Sequence, residues 1–294
     1  MSGELRMERK VHPKLKLEDR IRAELYGYDG KMGIYIDDLQ GTRISMLGSE
    51  AYETASCCKM FILAALFDKI EKGQAALSDM LEISERFLIN GSGVLGALER
   101  GSRLSVKNTA TLMIIVSDNI ATNMLIDYVG LSYINAVIET LGLSGSCLHN
   151  PIDFEKYPRL GTTTPEDYGK LWTLLAKREL ISAAASEQMI AICRQQHYNS
   201  MLTGQFPCYY MDEDNYGSPE NQLLWVASKS GSMNACRNDG GIIHTPYGEY
   251  VIVLLNKDFS DISYHNDHPA YRYGSAVSRL VLDQYLALCG RLEI

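Results

Sequence analysis

Ser56-Cys57-Cys58-Lys59, running straight into Met60-Phe61-Ile62-Leu63-Ala64-Ala65-Leu66-Phe67, is the stretch on which the fold turns. From about Cys57 to Lys72 apolar residues fall on nearly every face rather than on one stripe, which predicts a helix buried on all sides, and Gly73 ends it. Ser56 and Lys59 stand three residues apart at the opening of that helix, on one face. Taken alone this S-x-x-K spacing says little, because many helices begin with a serine cap and carry a lysine one turn on. A lysine in an otherwise apolar helix is nevertheless expensive to bury without a partner, whereas one that activates a neighbouring hydroxyl has a reason to be there. Cys57 points away from the Ser56/Lys59 face, so packing rather than thiol chemistry is expected of it.

Outward from the helix, Met32 to Ile36 and Arg43 to Met46, separated by Asp37-Asp38 and a turn at Gln40-Gly41, predict a β-hairpin upstream. Downstream come helical patterns over Val106 to Val116, Ile120 to Val129, Leu131 to Leu141, Pro165 to Ala176 and Ser186 to Arg194. The fourth opens on Thr164-Pro165-Glu166-Asp167, which supplies a cap, a first-turn proline and acids at the positive end of the helix dipole. After a polar stretch from Tyr198 to Asn221 the pattern changes to strands, Leu224 to Ser228, Gly241 to His244 and Tyr250 to Leu255, with a last helix over about Gly274 to Leu288. Strands at both ends with helices between them predict an α/β fold, an α+β sandwich whose antiparallel sheet is formed from both termini around an inserted all-helical domain. The expected division is 1–75 with 198–294 for the sheet-containing part and 76–197 for the helical part. A cleft between the two is the natural place for a ligand.

Composition narrows the function classes. With 294 residues and 46% hydrophobic content the chain can build a sizeable core, and its net charge of -8 is scattered rather than gathered in a tail. Nothing in it draws the chain to nucleic acid or to an anionic membrane, and neither partner is expected. Met1 to Lys10 lacks an apolar stretch long enough for a secretory signal, and Met60 to Phe67 is too short to span a bilayer. The chain as written is therefore expected in the cytoplasm, or in the periplasm or outside the cell if a leader was removed. Seven cysteines without a C-x-x-C pair are expected as free thiols. No metal or organic cofactor is expected, since the six histidines form no helical ligand pair; His265 and His268 lie in a polar segment that runs into Pro269.

Two further elements carry chemistry. Ser117-Asp118-Asn119 lies between two helical runs, where by itself it is a polar turn and cap. Lys229-Ser230-Gly231 follows a strand, where lysine is unremarked and glycine marks a bulge or a close approach. Together, S-x-x-K on a helix start, S-D-N on an interhelical turn and K-[ST]-G on a strand form the signature set of the class A β-lactamases and penicillin-binding proteins. The chain resembles this superfamily from about Gly33 to its last helix, including Gly91-Ser92-Gly93-Val94-Leu95 and Gly161-Thr162-Thr163-Thr164-Pro165. Glutaminases share the S-x-x-K and K-S-G elements, but the S-D-N element favours the β-lactamase branch.

The resemblance implies a β-lactamase/transpeptidase-like fold and a serine hydrolase that opens β-lactam amide bonds through an acyl-serine. It makes Ser56 the nucleophile and Lys59 the group that takes its proton. Ser117 would relay a proton to the leaving group, Asn119 would hold a substrate amide, and Lys229 would tune the field around Ser117 and attract an anionic substrate group. Ser230 would bind an anionic substrate group beside Gly231, and the backbone N–H groups of Ser56 and Ser232 would form the oxyanion hole. Arg237 stands where some members hold the substrate carboxylate in a two-pronged contact; a solvated arginine at the strand edge is the alternative.

One part of the pattern is missing. Class A enzymes carry a glutamate, with an asparagine shortly after it, in the loop before the Thr-Thr-Pro element, and the pair positions the deacylating water. Here His149 to Leu160 has no E-x-x-x-N; Asp153 or Glu155 is a substitute base or simply a solvated loop acid. The acylation residues are present and the deacylation pair is not. A small-molecule β-lactam, amide or ester is thus the expected substrate. The alternatives are an intracellular esterase, amidase or transacylase, and a penicillin-binding or sensor protein that releases its acyl group slowly. Tyr209, Tyr210 and Tyr216 in the Tyr198 to Asn221 stretch shape the pocket or sit on a surface loop.

Overall fold

Residues 16–207, 222–234 and 236–293 are described by a computed structural model of the chain. Met1 to Lys10 and the tyrosines at 209, 210 and 216, on which sequence expectations were placed, lie outside the described residues. The described chain begins with a short helix, α1 (Leu17–Glu24), followed by the predicted hairpin, β1 (Lys31–Asp37) and β2 (Arg43–Met46). Then come β3 (Tyr52–Glu53), a tight turn of 3-10 helix at Ala55–Cys58 and the buried helix α2 (Lys59–Glu71). The middle of the chain holds β4 (Met80–Glu82), β5 (Arg103–Ser105), α3 (Val106–Ile115), α4 (Asn119–Val129) and α5 (Leu131–Thr140), then β6 (Cys147–Leu148), β7 (Gly161–Thr163), α6 (Pro165–Ala176) and α7 (Ala183–Cys193). It ends in β8 (Trp225–Ser228), β9 (Gly231–Met233), β10 (Cys236–Thr245), β11 (Gly248–Lys257) and a long helix, α8 (Pro269–Ala287).

The main sheet runs β2-β1-β11-β10-β8, every neighbouring pair antiparallel, with β9 also paired to β10. β1 lies against β11 from Lys31 opposite Lys257 to Asp37 opposite Val251, so early and late parts of the chain close one sheet, as the sequence predicts. Alternation along the strands gives the sheet two buried faces. Tyr35, Val251, Val253 and Leu255 face the helical side together with α2 and α6. Ile34, Ile36, Ile252 and Leu254 face the other way, with Leu17 and Ile21 of α1 and Val277 and Val281 of α8. Burial of each such aliphatic side chain contributes about 1.5–3 kcal/mol, offset against chain entropy.

All nine residues from Lys59 to Phe67 are buried, and α2 packs against α3, α4, α5 and α7. The apolar content on every face is explained by that surround. Among the boundaries that differ from expectation, three bear on the packing around the site or the last helix. The helix after Ser56 starts as a 3-10 turn, with Ala55 in the left-handed region at φ 43°, so Ser56 is not its N-cap. β10 begins at Cys236, five residues earlier than the apolar run suggests, because Arg237, Asn238 and Asp239 are polar yet buried. α8 begins at Pro269, which occupies the first helical position where its missing N–H costs nothing, and the ring nitrogen Nδ1 of His268 accepts from the Ala270 N–H as the cap. No helix among the described residues is long and apolar enough to cross a membrane.

Candidate active site

The turn that carries Ser56 is fixed from two sides. Below it, Glu53 Oε1 accepts from the N–H groups of Ala55 (3.2 Å), Leu160 (3.1 Å) and Gly161 (3.2 Å). Beside it, Asn238 of β10 donates from Nδ2 to the Glu53 carbonyl at 2.7 Å, and its Oδ1 accepts from the Asn256 N–H. The edge strand next to the turn is interrupted. β8 and β9 lie one after the other along the same side of β10, and Lys229-Ser230 fills the break between them. Gly231, the first residue after the break, passes so close that a Cβ there would lie 2.7 Å from the Thr54 carbonyl and 2.8 Å from the N atoms of Ser56 and Cys57. Only glycine permits this approach.

Lys59 is fully buried, and its Nζ donates to the Ser117 carbonyl (2.7 Å), to Ser117 Oγ (2.9 Å) and to Asn119 Oδ1 (3.0 Å). Ser117 occupies the left-handed region at φ 53°, a conformation that costs a non-glycine residue on the order of 1–3 kcal/mol and persists only where the surroundings impose it. Those surroundings are specific. Ser92 Oγ donates to the Ser117 carbonyl at 2.6 Å, and Asn119 Nδ2 donates to the Asn90 carbonyl at 3.2 Å. Asp118 caps α4 through the Ala121 N–H (2.9 Å), and its other oxygen accepts from the N–H groups of Val94 (2.6 Å) and Leu95 (2.8 Å). Gly93, at φ 119°, lets the loop fold over that carboxylate; a Cβ there would lie 2.3 Å from Asp118 Cγ.

Burial, reinforced by the nearby Lys229 charge, lowers the Lys59 ammonium to about 7, so a large share is the free amine near neutral pH. Burial also lowers Lys229, whose Nζ donates to the Ser230 carbonyl at 2.7 Å. Asp239, close enough to Lys229 for their charges to interact, is raised by burial to about 7 although its oxygens accept from the N–H groups of Gly240 (2.9 Å) and Leu202 (3.3 Å). The thiols are inert by comparison: Cys57 donates to the Lys229 carbonyl and burial pushes its ionisation far up, while Cys58 is pushed up to about 11.

Ser56, Ser117, Asn119, Ser230, Gly231 and Ser232 all line one cavity of about 770 Å³. Lys59 and Lys229 stand behind its wall with no exposed surface. The sequence model of the Beta-lactamase enzyme family matches residues 16–285. The chain belongs to that family. Among solved structures, a β-lactamase from Sphaerobacter thermophilus DSM 20745 superimposes with a TM-score of 0.79 at 26% identity, covering 92% of this chain and 97% of that one. Two others share the fold. A class A β-lactamase from Bacteroides cellulosilyticus DSM 14838 has a TM-score of 0.79 at 21% identity over 96% of this chain and 100% of its own. PBP-A, in a variant held as an acyl-enzyme complex with penicillin G, has a TM-score of 0.78 at 24% identity over 94% and 99%. No curated protein matches the chain.

Within this β-lactamase-family fold, three residues named from the sequence fall away from the cavity. Arg237, expected to hold a substrate carboxylate or to lie solvated at the edge, does neither. It is fully buried, and its guanidinium donates to the carbonyls of Met233, Cys236 (2.8 Å), Ile262 (3.2 Å) and Ser263 (2.7 Å), with the Tyr264 ring 4.3 Å away. Asp153 and Glu155, the expected substitute bases, are placed away from the cavity lining. Asp153 accepts from the N–H groups of Glu155 and Lys156 and pairs with the Lys156 ammonium at 2.9 Å, which lowers its carboxyl further, while Glu155 is exposed; neither lines the cavity. Of that loop it is Phe154, Tyr157, Pro158 and Leu160 that face inward. Sequence reasoning also missed Glu53, Ser92, Asn238 and Asp239. The signal for the last two was present, as polar residues placed next to an apolar strand.

Proposed function

We propose that this member of the β-lactamase family is a serine acyl hydrolase, with Ser56 as nucleophile and Lys59 as proton acceptor. The observation that carries the reading is the buried Lys59 amine, held 2.9 Å from Ser117 Oγ behind a cavity that Ser56 and Ser117 both line. An amine whose ammonium titrates near 7 accepts the Ser56 proton during attack on a carbonyl, and the Ser117 hydroxyl passes a proton on to the leaving group. Asn119 and Ser230 orient the substrate. The N–H groups of Ser56 and Ser232 receive the charge that develops on the carbonyl oxygen, the former positioned by the close approach of Gly231. Lys229 contributes field rather than contact, since its ammonium is turned to the Ser230 carbonyl.

A second reading has its own support. With Asp153 and Glu155 outside the cavity, no carboxylate of the His149 to Leu160 loop lines it, which favours a long-lived acyl-enzyme of the kind expected of a penicillin-binding protein or sensor. One experiment tests both: mix the protein with a reporter β-lactam and with an activated aryl ester, and follow the mass of the Ser56 peptide over time. Adduct formation that Ser56→Ala abolishes supports the acyl-serine; release within seconds favours the hydrolase and persistence over hours the second reading. Absence of any Ser56 adduct or turnover with either reagent defeats the proposal.

A further inference from the structure

Two hydroxyls meet on the sheet side of the cavity. Ser232, in β9, and Tyr271, in the first turn of α8, both line it, and Ser232 Oγ stands 2.7 Å from Tyr271 Oη. A pair of hydroxyls holds two protons, and the bond between them uses one. Whichever oxygen donates, the other keeps an O–H for a further acceptor, and a substrate atom in the cavity is placed to supply it. Burial raises the Tyr271 phenol above its ordinary value, so near neutral pH it stays a protonated donor. Both oxygens are firmly mounted. The Tyr271 N–H donates to the His268 carbonyl at 2.9 Å, and the fully buried His268 ring caps α8 through Nδ1 while its Nε2 donates to the Asp261 carbonyl at 2.6 Å. Ser232 lies opposite Arg237 of β10, one residue after Gly231, whose close approach to the Ser56 nitrogen sets the distance between strand and turn. Ser230, for which an anionic substrate group is expected, lines the same cavity two residues earlier.

We propose, on the acyl-serine reading above, that Tyr271 is a specificity-determining residue: its hydroxyl and that of Ser232 together recognise a carboxylate on the leaving portion of the acyl donor, next to Ser230. A hydroxyl pair suits this task. The oxygen that accepts within the pair becomes the better donor to an anion, because one hydrogen bond polarises the next. Held by a helix cap and by a strand pairing, the two oxygens lose little freedom when the ligand arrives. The portion of the donor follows from the elements that carry each contact. Asn119, given the substrate amide, opens α4 in the helical part, whereas Ser232 and Tyr271 stand on β9 and α8. The amide is thereby placed on the acyl portion and the carboxylate on the leaving portion.

The test is the rate of Ser56 acylation by 4-nitrophenyl phenylacetate and by 3-carboxy-4-nitrophenyl phenylacetate, followed by stopped flow and mass spectrometry. Asp239 also lines the cavity and burial raises its carboxyl to about 7, so the comparison is made at pH 6, where that group is mostly uncharged. Tyr271→Phe keeps the ring and removes the hydroxyl. It is expected to slow the carboxylated donor relative to the neutral one by about tenfold, the scale of one charge-assisted hydrogen bond. Ser232→Ala is expected to move the ratio the same way, and the double variant to move it by less than the two single shifts multiplied, because each removes part of one shared donor. Thermal melts establish that each variant is folded. A ratio that Tyr271→Phe leaves unchanged, whether both donors slow equally, as loss of a mere brace for β9 would cause, or neither does, overturns this proposal and leaves the acyl-serine reading standing. Failure of both donors to acylate Ser56 in the parent protein overturns the two together.

Discussion

Lys59 Nζ and Asn119 Oδ1 stand 3.0 Å apart, joining the buried helix to the first residue of α4. Through that contact and its two bonds to Ser117, one amine ties the helix that follows Ser56 to the turn that carries Ser117. The same amine governs the expected pH behaviour. The proposed acylation by Ser56 requires that amine unprotonated, so on that proposal the acylation rate should rise with pH through about 7 and level off above it. A profile flat from pH 5 to 9 on a donor that itself does not titrate would contradict the role given to Lys59.

The two buried groups titrating near 7 also set opposite slopes in stability. Lys59 has its folded value lowered from 10.5, so the unfolded chain binds more protons between about 7 and 10.5, and stability should rise with pH in that window. Asp239 has its value raised from 3.8, so the folded chain binds more protons between about 4 and 7, and stability should fall with pH there. Chemical denaturation of the parent and of Asp239→Asn across pH 4 to 7 checks the second slope; the variant should lose it.

Replacing Lys59 by Met should remove acylation by about a thousandfold or more while leaving the melting temperature unchanged or raised. A buried ammonium is costly to desolvate, and an apolar side chain of similar length in an apolar helix is often neutral or stabilising. Thermal melts alongside acylation rates check this. A large fall in melting temperature would show that the three hydrogen bonds of Lys59 outweigh its desolvation.

Gly231→Ala should act on both stability and chemistry. Its Cβ would meet the Thr54 carbonyl and the Ser56 nitrogen inside contact distance, and such overpacking costs about 1–3 kcal/mol. Because the displaced backbone is that of the nucleophile's turn, kcat/KM should fall by more than the loss of stability accounts for, at a temperature where the variant is still fully folded.

Arg237→Met should be destabilising, by about 1–3 kcal/mol, since it removes the donors to the buried Cys236 carbonyl and to the partly buried carbonyls of Ile262 and Ser263. The ratio of acylation rates for two aryl esters, one with and one without a carboxylate on its leaving group, should not change, because the guanidinium does not line the cavity. A selective loss of the carboxylated donor in the folded variant would return Arg237 to the substrate.

Much of this was legible in the sequence because the relevant signals are local. An apolar run with no polar face predicts α2 and its surround, and the Thr164-Pro165 start predicts α6 to the residue. Ser56, Lys59, Ser117, Asn119 and Lys229 stand out as polar residues in ordered, mutually reinforcing motifs, and the fold brings them together. What escaped is non-local. Arg237 carries a charge that in sequence suggests solvent or a ligand, and half of its carbonyl partners, those of Ile262 and Ser263, lie some 25 residues along the chain. The three residues of β9 are too short to show a period, and Glu53 gives no sign of its bonds to Leu160 and Gly161. Asp153 and Glu155 have the right chemistry at the right place in the order, yet the loop turns them outward.

The bond from Asn238 to the Glu53 carbonyl spans 185 positions of the chain. A growing polypeptide therefore carries Ser56 long before it has the strand that pins the turn around it, and β1 waits equally for β11. Pairings this distant are slow to form because loop closure precedes any reward. The helices between, whose contacts are closer in sequence, have time to collapse around α2 first. Reactivity at Ser56 should thus appear late in refolding, after most helical signal has returned, so that the nascent chain emerges chemically silent and acquires its nucleophile as one of the last events of folding.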